Sequence, residues 1–220
     1  MIQATTVTAR DTKERILDAA ERLFADCGFD GTSMRAVTGA ANVNLAAANY
    51  HFGSKEALLT AVLARRFDPI NRQRLALLDA LEARDPGPTI EDLLRAFFAP
   101  AFREIGALGT TGNRFVQLAG RMHAAANERV RTLFMQLFHE VIGRFVPAMH
   151  RALPGSSQGD LHWKLHFMVG AMAHVLAYSP HDDCAAILGA GGFDPDEALE
   201  ALLTFCAAGM RAPGGGVKTA

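Results

Sequence analysis

The stretch that decides the fold runs from Thr32 to Leu58 and reads TSMRAVTGAANVNLAAANYHFGSKEAL. It opens on a Thr-Ser pair, and such hydroxyl residues are favoured as helix N-caps. Asn42 tolerates the left-handed conformation that a tight turn between helices requires, and Asn44 can cap a second short helix that ends near Asn49. The spacing therefore predicts two short helices joined by a tight turn, which is the geometry of a helix-turn-helix.

The second of these helices is narrow and polar. One leucine and three alanines separate Asn44 from Asn49. A helix of this kind can enter a major groove roughly 12 Å wide, where the asparagine amides can meet base edges and an alanine methyl can touch a thymine methyl. Spacing alone leaves a second interpretation open, in which this is only a capped, alanine-rich helix within a bundle.

Helical spacing continues on both sides of this stretch. Apolar residues recur at helical intervals from Ile16 to Cys27 and again from Lys55 to about Leu81, and no strand-like alternation with hairpin turns occurs. We therefore predict an all-α fold of about nine helices. The predicted parts are an N-terminal three-helix helix-turn-helix domain over 10–54, a larger helical domain over 55–212 and a disordered tail over 213–220.

Helix-breaking and loop-forming residues predict where the helices of the larger domain end. Glycines and threonines over 106–112 predict a loop, and 180–193 is predicted to be irregular. One long helix is predicted from Asn127 to Arg151. Pro100 is expected to kink the helix that contains it, because proline removes a helical hydrogen bond.

The charge of the chain is nearly balanced, with 22 basic and 23 acidic residues, so the overall charge does not indicate a nucleic-acid partner. The distribution is more informative, because 31–66 holds one acid against four cations, Arg35, Lys55, Arg65 and Arg66. A local basic stretch is the footprint expected of a small nucleic-acid-binding element. The last two arginines are interpreted as a solvated helix face.

Membrane and secreted proteins are disfavoured by the composition. No run reaches the roughly 18 to 20 apolar residues that span a bilayer, and we recognise no secretory signal. The three cysteines are widely spaced and form neither a disulfide framework nor a metal motif. Cys27 and Cys206 are interpreted as core residues, and the protein as cytoplasmic.

An enzyme is also disfavoured, since no nucleotide-binding glycine loop, nucleophile motif or carboxylate pair is recognisable. The Gly-rich run at 189–192 follows no strand, which argues against a phosphate loop. His162, His166 and His174 share one helix face, and the first two have the spacing of metal ligands, but no third ligand is adjacent. We expect no catalytic residue, no metal and no cofactor.

A set of residues between 12 and 63 carries a family resemblance. They are Ile16-Leu17-Asp18-Ala19-Ala20, Leu23-Phe24-Ala25, Gly28-Phe29, Thr32-Ser33-Met34, Val43-Asn44 and Tyr50-His51-Phe52-Gly53-Ser54-Lys55-Glu56-Ala57-Leu58. Through them the chain resembles the DNA-binding domain of the TetR (tetracycline-repressor) family of bacterial transcriptional regulators. The chain departs from that family at Asn42, where Gly is usual, and at Asn44, where Ser or Thr is usual.

This resemblance implies roles in DNA contact. The residues at positions that contact phosphates are Thr32, Ser33, Tyr50, His51 and Lys55. The residues at positions that face bases are Asn44, Leu45, Ala46, Ala48 and Asn49, and Arg35 could reach either. Hydroxyls, a ring nitrogen, an ammonium and the helix N-terminus at Ser54 all suit a phosphate oxygen.

The C-terminal part is similar to PsrA-type regulators, which respond to long-chain fatty acids, in Phe115–Gly120, Leu161–Ala171 and Phe205–Ala212. The resemblance implies a domain that binds a small effector and dimerises. The side chains that could line a long apolar tunnel are Phe97, Phe98, Phe102, Phe115, Leu118, Met122, Phe134, Leu137, Phe138, Phe167, Met168 and Met172, and Arg114 or Arg121 could hold a carboxylate. The alternative is that the apolar residues form only a core and the arginines surface ion pairs.

The helix that begins at Asp160 is apolar on nearly every side, so it is predicted to be buried all round. With the last helix it can form a four-helix bundle with a second copy, as the resemblance implies. The predicted dimer residues are Trp163, His174, Val175, Leu199, Leu202, Leu203 and Cys206.

We therefore expect a homodimeric repressor that binds a palindromic double-stranded DNA operator. A hydrophobic effector, either a long-chain fatty acid or an acyl-CoA, would release it by favouring a form with the wrong spacing of the two DNA-reading heads. One alternative is a regulator of the same kind that answers another apolar or aromatic ligand. Another is a small-molecule-binding helical protein that binds no DNA, against which Tyr50, His51 and Lys55 argue.

Overall fold

The computed structural model describes residues 9–108, 110–123, 126–178 and 194–214. Within these ranges it contains ten helices and no strand, which confirms the predicted all-α fold. None of the helices in these ranges combines the length and apolar character needed to cross a bilayer. The helices are α1 Ala9–Cys27, α2 Met34–Ala41, α3 Leu45–Phe52, α4 Lys55–Glu82, α5 Ile90–Leu108, α6 Thr110–His123, α7 Glu128–Gln136, α8 His139–Ala152, α9 Gln158–Tyr178 and α10 Pro195–Arg211.

The described residues divide into two compact units. The first, called the head, comprises the residues up to Asp68 together with Gln117–Leu137. The second, called the body, comprises Pro69–Val116 and the residues from Phe138 onward. The head therefore contains the first part of α4 and the end of α6 with α7, in addition to the predicted helix-turn-helix.

Apolar side chains from α1, α2 and α3 form the centre of the head. Ile16 and Phe24 of α1, Val37 of α2 and Ala48 of α3 are fully buried. Removing a large apolar side chain such as Phe24 from water contributes about 1.5–3 kcal/mol to folding. The helical spacing read from the sequence thus places these residues on the inward faces of their helices.

Local hydrogen bonds set the ends of α2 and α3, as the sequence predicts. The side chain of Ser33 accepts a hydrogen bond from the N–H of Ala36 at 3.1 Å, and that of Asn44 accepts one from Ala47 at 2.7 Å. Asn42 ends α2 in the left-handed region, at φ 52° and ψ 51°. The two helices and the turn between them confirm the predicted helix-turn-helix.

The core of the body is formed by α4, α5, α8, α9 and α10. Leu78, Leu93, Phe98 and Met149 are among its fully buried side chains. Helix α10 packs on both α5 and α9. The interior face of α10 carries Leu199, Leu202, Leu203 and Cys206, all of which are buried in this core.

The loop predicted over 106–112 is wrong for the described part of that range. Helix α5 continues to Leu108, and α6 begins at Thr110. A Cβ placed on Gly112 would lie 2.5 Å from the carbonyl oxygen of Ile105. Gly112 is therefore needed where α6 approaches α5 closely, and this use of glycine looks the same in the sequence as a flexible loop.

The single long helix predicted from Asn127 to Arg151 is also wrong. Helix α7 ends at Gln136 and α8 begins at His139, with a turn between them. Buried residues of α7 belong to the head and those of α8 to the body. The break thus lies where the chain passes between units, and no glycine or proline marks it. Pro100 lies within α5, which continues past it as one helix. The kink expected at Pro100 stays a prediction.

The cysteine predictions have different outcomes. Cys206 is buried, and burial raises the pKa of its thiol to about 11. Cys27 is exposed at the last turn of α1, so its predicted core position is wrong, because the buried face of α1 ends before it. Cys184, the irregular segment over 180–193, the Gly-rich run within it and the predicted tail beyond Gly214 lie outside the described residues.

Candidate nucleic-acid interface

Helix α3 presents one face to solvent. Tyr50 is 85% exposed, and Leu45, Ala46 and Asn49 are exposed beside it. The ring of Tyr50 meets that of His51 edge-on, with 5.3 Å between ring centroids. The exposed surface therefore consists of short side chains flanked by one large aromatic ring that carries a hydroxyl.

Two of the predicted base-facing residues have other surroundings. Ala48 is fully buried, because it lies on the face of α3 that packs inside the head, so its predicted contact with bases is corrected. Asn44 is exposed, but its side-chain oxygen caps α3 by accepting from Ala47. The amide NH2 of Asn44 remains as the part of this side chain that can meet an outside acceptor.

Thr32, one of the predicted phosphate contacts, is buried between α1 and α2. Its hydroxyl donates to the carbonyl of Gly28 at 2.7 Å and lies 3.1 Å from that of Leu23. The side chain thus closes the turn after α1 and does not reach solvent, which corrects the prediction that it binds phosphate. Ser33 and Arg35, which follow it, are exposed.

The ammonium of Lys55 is bound by other groups of the head. Its ammonium Nζ donates to the carbonyl oxygens of Phe29 and Thr32, both at 3.0 Å, and lies 4.1 Å from the centroid of the Phe29 ring. A cation in this position is held by two main-chain dipoles and one aromatic face. Lys55 therefore ties the start of α4 to the turn between α1 and α2.

The pair Arg65 and Arg66 forms an ion-pair network with α1, which corrects their interpretation as a solvated face. Glu21, only 3% exposed, accepts hydrogen bonds from both guanidinium groups. Arg65 also donates to Asp18 at 2.8 Å and Glu14 at 3.2 Å. Burial opposes the charge of Arg65, but the hydrogen bonds to Glu21 and Asp18 outweigh it and raise the pKa.

Arg15 is a positioning residue that no sequence pattern indicates. Its Nη2 donates to the carbonyl oxygens of Ala41 at 2.6 Å and Asn42 at 2.8 Å. These carbonyls lie at the C-terminal end of α2, where helical donors run out. No local signal identifies this contact, because Arg15 and its acceptors are separated by 26 and 27 residues.

The predicted effector-pocket residues are divided between the two units. The head contains Leu118, Arg121, Met122, Phe134 and Leu137, of which Arg121 is exposed. The other predicted pocket residues belong to the body. Within the body, Phe97, Phe98, Phe102, Phe115 and Met168 are buried, whereas Phe138 and Met172 are partly buried. Phe167 is 67% exposed and Arg114 is exposed, so Phe167 is corrected from a pocket to a surface residue.

The described part of the body contains two open clefts. One, of about 660 Å³, lies among the ends of α5, α8 and α10 and is lined by residues such as Ile90, Leu153 and Met210. The other, of about 380 Å³, lies between α5 and the start of α10 and includes Phe102 and Arg103. Phe102 is the one predicted pocket residue that lines either of these two clefts.

Large apolar side chains lie exposed on α9 and α10, two helices that pack on each other, and they are together called the strip. Trp163 is 50% exposed and stacks on Phe167 with 6.1 Å between centroids, and Phe205 of α10 is 70% exposed. His174 is exposed on the same helix as Trp163, and Val175 is partly buried. Within one chain α9 is therefore exposed on one face, and its burial all round against a second copy stays a prediction.

The predicted dimer residues of α10 face inward. Leu199, Leu202, Leu203 and Cys206 all belong to the core of the body, so the prediction that they face a partner is corrected. Phe205 lies on the other side of the helix. The periodicity of α10 gives two apolar faces, and only the packing of α10 on α5 decides which one is interior.

His162 and His166 lie one helical turn apart, with 5.9 Å between their ring centroids. In the part of the chain that the structure describes, no group of three or more His, Cys, Asp and Glu side chains comes together as a metal site.

The head has the architecture of a helix-turn-helix protein, and the body is a larger helical domain. Comparison with protein families gives two matches: residues 16–62 with "Bacterial regulatory proteins, tetR family" and residues 95–209 with "Tetracyclin repressor-like, C-terminal domain". The second match alone covers more than half of the chain. The chain therefore belongs to the TetR family of bacterial regulatory proteins.

Individual relatives match over shorter segments. The transcriptional repressor KstR of Rhodococcus jostii (strain RHA1) is 30% identical over 122 residues, which cover 48% of this chain and 58% of KstR. The transcriptional regulator UidR of Escherichia coli (strain K12) is 38% identical over 55 residues, 25% of this chain and 28% of UidR. The chain thus matches less than two thirds of the length of these relatives.

The fold recurs in solved structures. One is the fatty acid degradation regulator FadR from Bacillus halodurans, with a TM-score of 0.65 and 13% identity over 94% of this chain and 96% of that one. At this identity the likeness is one of fold.

Proposed function

We propose that the protein is a DNA-binding transcriptional repressor that acts as a homodimer on a palindromic operator. The observation that carries the proposal is the solvent-facing surface of α3, the second helix of a well-formed helix-turn-helix. Leu45, Ala46 and Asn49 are proposed to face bases in the major groove, with the Asn44 amide at the rim. Short side chains allow the helix to approach base edges closely, and an asparagine amide can donate to and accept from a base.

Phosphate contacts are proposed for Ser33, Tyr50, His51 and Arg35. All but His51 are exposed, and Tyr50 is 85% exposed. Contacts of this kind fix the register of the protein on DNA without reading the sequence. Lys55 is proposed to support DNA binding indirectly, because it holds the turn that precedes α2.

The proposed dimer contact is the exposed strip on α9 and α10. Trp163, Phe167 and Phe205 are large apolar side chains exposed on two packed helices, and exposed apolar groups mark protein contacts when they lie together. Twofold pairing of this strip would bury the three side chains and make a symmetric, self-complementary interface. A symmetric dimer is what a palindromic operator requires, since half-sites lie about 34–36 Å apart, one turn of DNA.

The proposed effector is a hydrophobic molecule, a long-chain fatty acid or an acyl-CoA. The resemblance to PsrA-type regulators and the many phenylalanines of the body support this choice. A different apolar or aromatic ligand is the second candidate. In either case the effector must bind more tightly to the form whose heads are wrongly spaced for the operator, since equal binding shifts nothing.

Fluorescence anisotropy with DNA from the gene's own upstream region tests the proposal. Arg35→Ala is expected to weaken binding and to lower the salt dependence, because a phosphate contact is lost. The matched control is Arg103→Ala, which removes the same charge from an exposed position of the body and is expected to leave binding unchanged. Equal effects of the two variants would refute the proposed contact.

The same assay separates base contacts and the effector. Asn49→Ala is expected to change the preference among operator sequences, and an unchanged preference would remove Asn49 from the base-reading set. Addition of oleate is expected to release the DNA. Tight binding that is indifferent to oleate would support the repressor and reject a fatty-acid effector.

A further inference from the structure

The body contains a buried arginine with no acidic partner among the described residues. Arg74 of α4 is 1% exposed. Its Nε donates to the carbonyl oxygen of Phe97 at 2.7 Å, its Nη1 donates to Oδ1 of Asn71 at 3.1 Å, and its guanidinium lies 4.2 Å from the centroid of the Phe97 ring. The charge is therefore met by neutral groups only.

Other arginines of the chain have acidic partners. Arg65, Arg95 and Arg144 each pair with at least one carboxylate. Arg74, which is more deeply buried than these, has no carboxylate of the described residues within 4.0 Å. Burial alone lowers its pKa to about 10. An uncompensated buried charge is costly, so a negatively charged group that reaches Arg74 would pair with a guanidinium that has already lost its hydration.

A guanidinium has five N–H donors in a rigid, planar fork, and two of them donate in the contacts described. The remaining donors suit the paired oxygens of a carboxylate, which arginine binds in a two-pronged fashion. The surrounding core, which includes Leu78, Phe98 and Phe145, is apolar. Such surroundings fit a molecule with one acidic end and an apolar remainder.

We propose that Arg74 is the anchor for the carboxylate of an amphipathic acid that enters the core of the body between α4 and α5. This proposal deepens the proposed function and rests on it, because it names the residue and the chemical group by which the effector is recognised. Arg114 and Arg121, the arginines that the sequence suggested for this role, are exposed.

A purely structural part for Arg74 is the competing explanation. Phe97 lies three residues before Pro100, and a proline weakens the helical hydrogen bonds just before it. The bond from Arg74 could then serve only to satisfy a carbonyl of α5. The two explanations differ in one measurable respect, because only the anchor makes ligand affinity depend on the negative charge of the ligand.

The test is calorimetric titration of the full chain, without DNA, with sodium dodecanoate and with dodecan-1-ol as its uncharged counterpart. The wild type is expected to bind the acid at least about tenfold more tightly than the alcohol, as loss of a charge-assisted pair implies. Arg74→Met is expected to lose this preference while binding the alcohol as the wild type does. Arg114→Met is the matched control and should keep the preference.

Arg74→Lys covers the case in which the methionine variant does not fold. It keeps the charge but loses the two-pronged geometry, so an intermediate preference for the acid is expected. Equal binding of acid and alcohol by the wild type, a preference that survives in Arg74→Met, or no binding of dodecanoate would each overturn the proposal. Operator binding by the ligand-free wild type is measured separately, so a protein that binds DNA but no acid refutes only the anchor.

Discussion

Replacing Lys55 by methionine tests whether its ammonium holds the head together or binds DNA. The ammonium donates to the carbonyls of Phe29 and Thr32 at 3.0 Å and lies 4.1 Å from the Phe29 ring. Methionine keeps most of the apolar stem, but it removes the charge and both hydrogen bonds. The turn between α1 and α2 is therefore expected to loosen while α4 keeps its packing.

The size of the effect follows from these contacts. A hydrogen bond to a charged group contributes about 1.5–3 kcal/mol, and an exposed cation–π contact about 0.5–1 kcal/mol. Lys55 is only partly buried, so water can replace some of what is lost, and we expect the free energy of unfolding to fall by about 2 kcal/mol. For a chain of this length the melting temperature should fall by about 4–8 °C.

Circular dichroism melts and anisotropy titrations across a range of NaCl concentrations measure the two consequences. Lys13→Met is the matched control, since Lys13 is exposed on α1, and its melting temperature should not change. Lys55→Met should bind DNA more weakly with an unchanged salt slope, because its ammonium is occupied by protein carbonyls. An unchanged melting temperature together with a slope smaller by about 0.9, the value for one phosphate contact, would refute this reasoning.

Three further predictions address other parts of the chain. Glu21→Gln should lower the free energy of unfolding in urea by about 3 kcal/mol, because it leaves Arg65 with one buried partner fewer; a loss below about 1 kcal/mol would contradict a stabilising network. Phe167→Asp should give a monomer in sedimentation velocity with unchanged helicity, and a persistent dimer would exclude the α9 strip as the interface. Iodoacetamide near pH 8 should alkylate exposed Cys27 readily but Cys206 only after unfolding, since burial raises the pKa of Cys206 to about 11; equal labelling of the folded protein would contradict this.

The body shows most clearly where sequence patterns were insufficient. Gly112 looks like part of a loop but allows two helices to approach, and the break after Gln136 carries no breaking residue. Helix α10 is apolar on two faces, and the predicted dimer face, with Leu202 and Cys206, is the interior one. Each of these choices depends on what the neighbouring helix presents, which periodicity does not contain.

The sequence by itself determined the helix-turn-helix, because its caps and its turn are local. Ser33 bonds three residues ahead, Asn44 does the same, and Asn42 needs only its own backbone conformation. The tertiary structure alone decided which distant groups the polar side chains contact. Lys55 meets Phe29 across 26 residues and Arg74 meets Phe97 across 23. Contacts over such separations exist only once the helices have packed, since the chain between the partners must fold first.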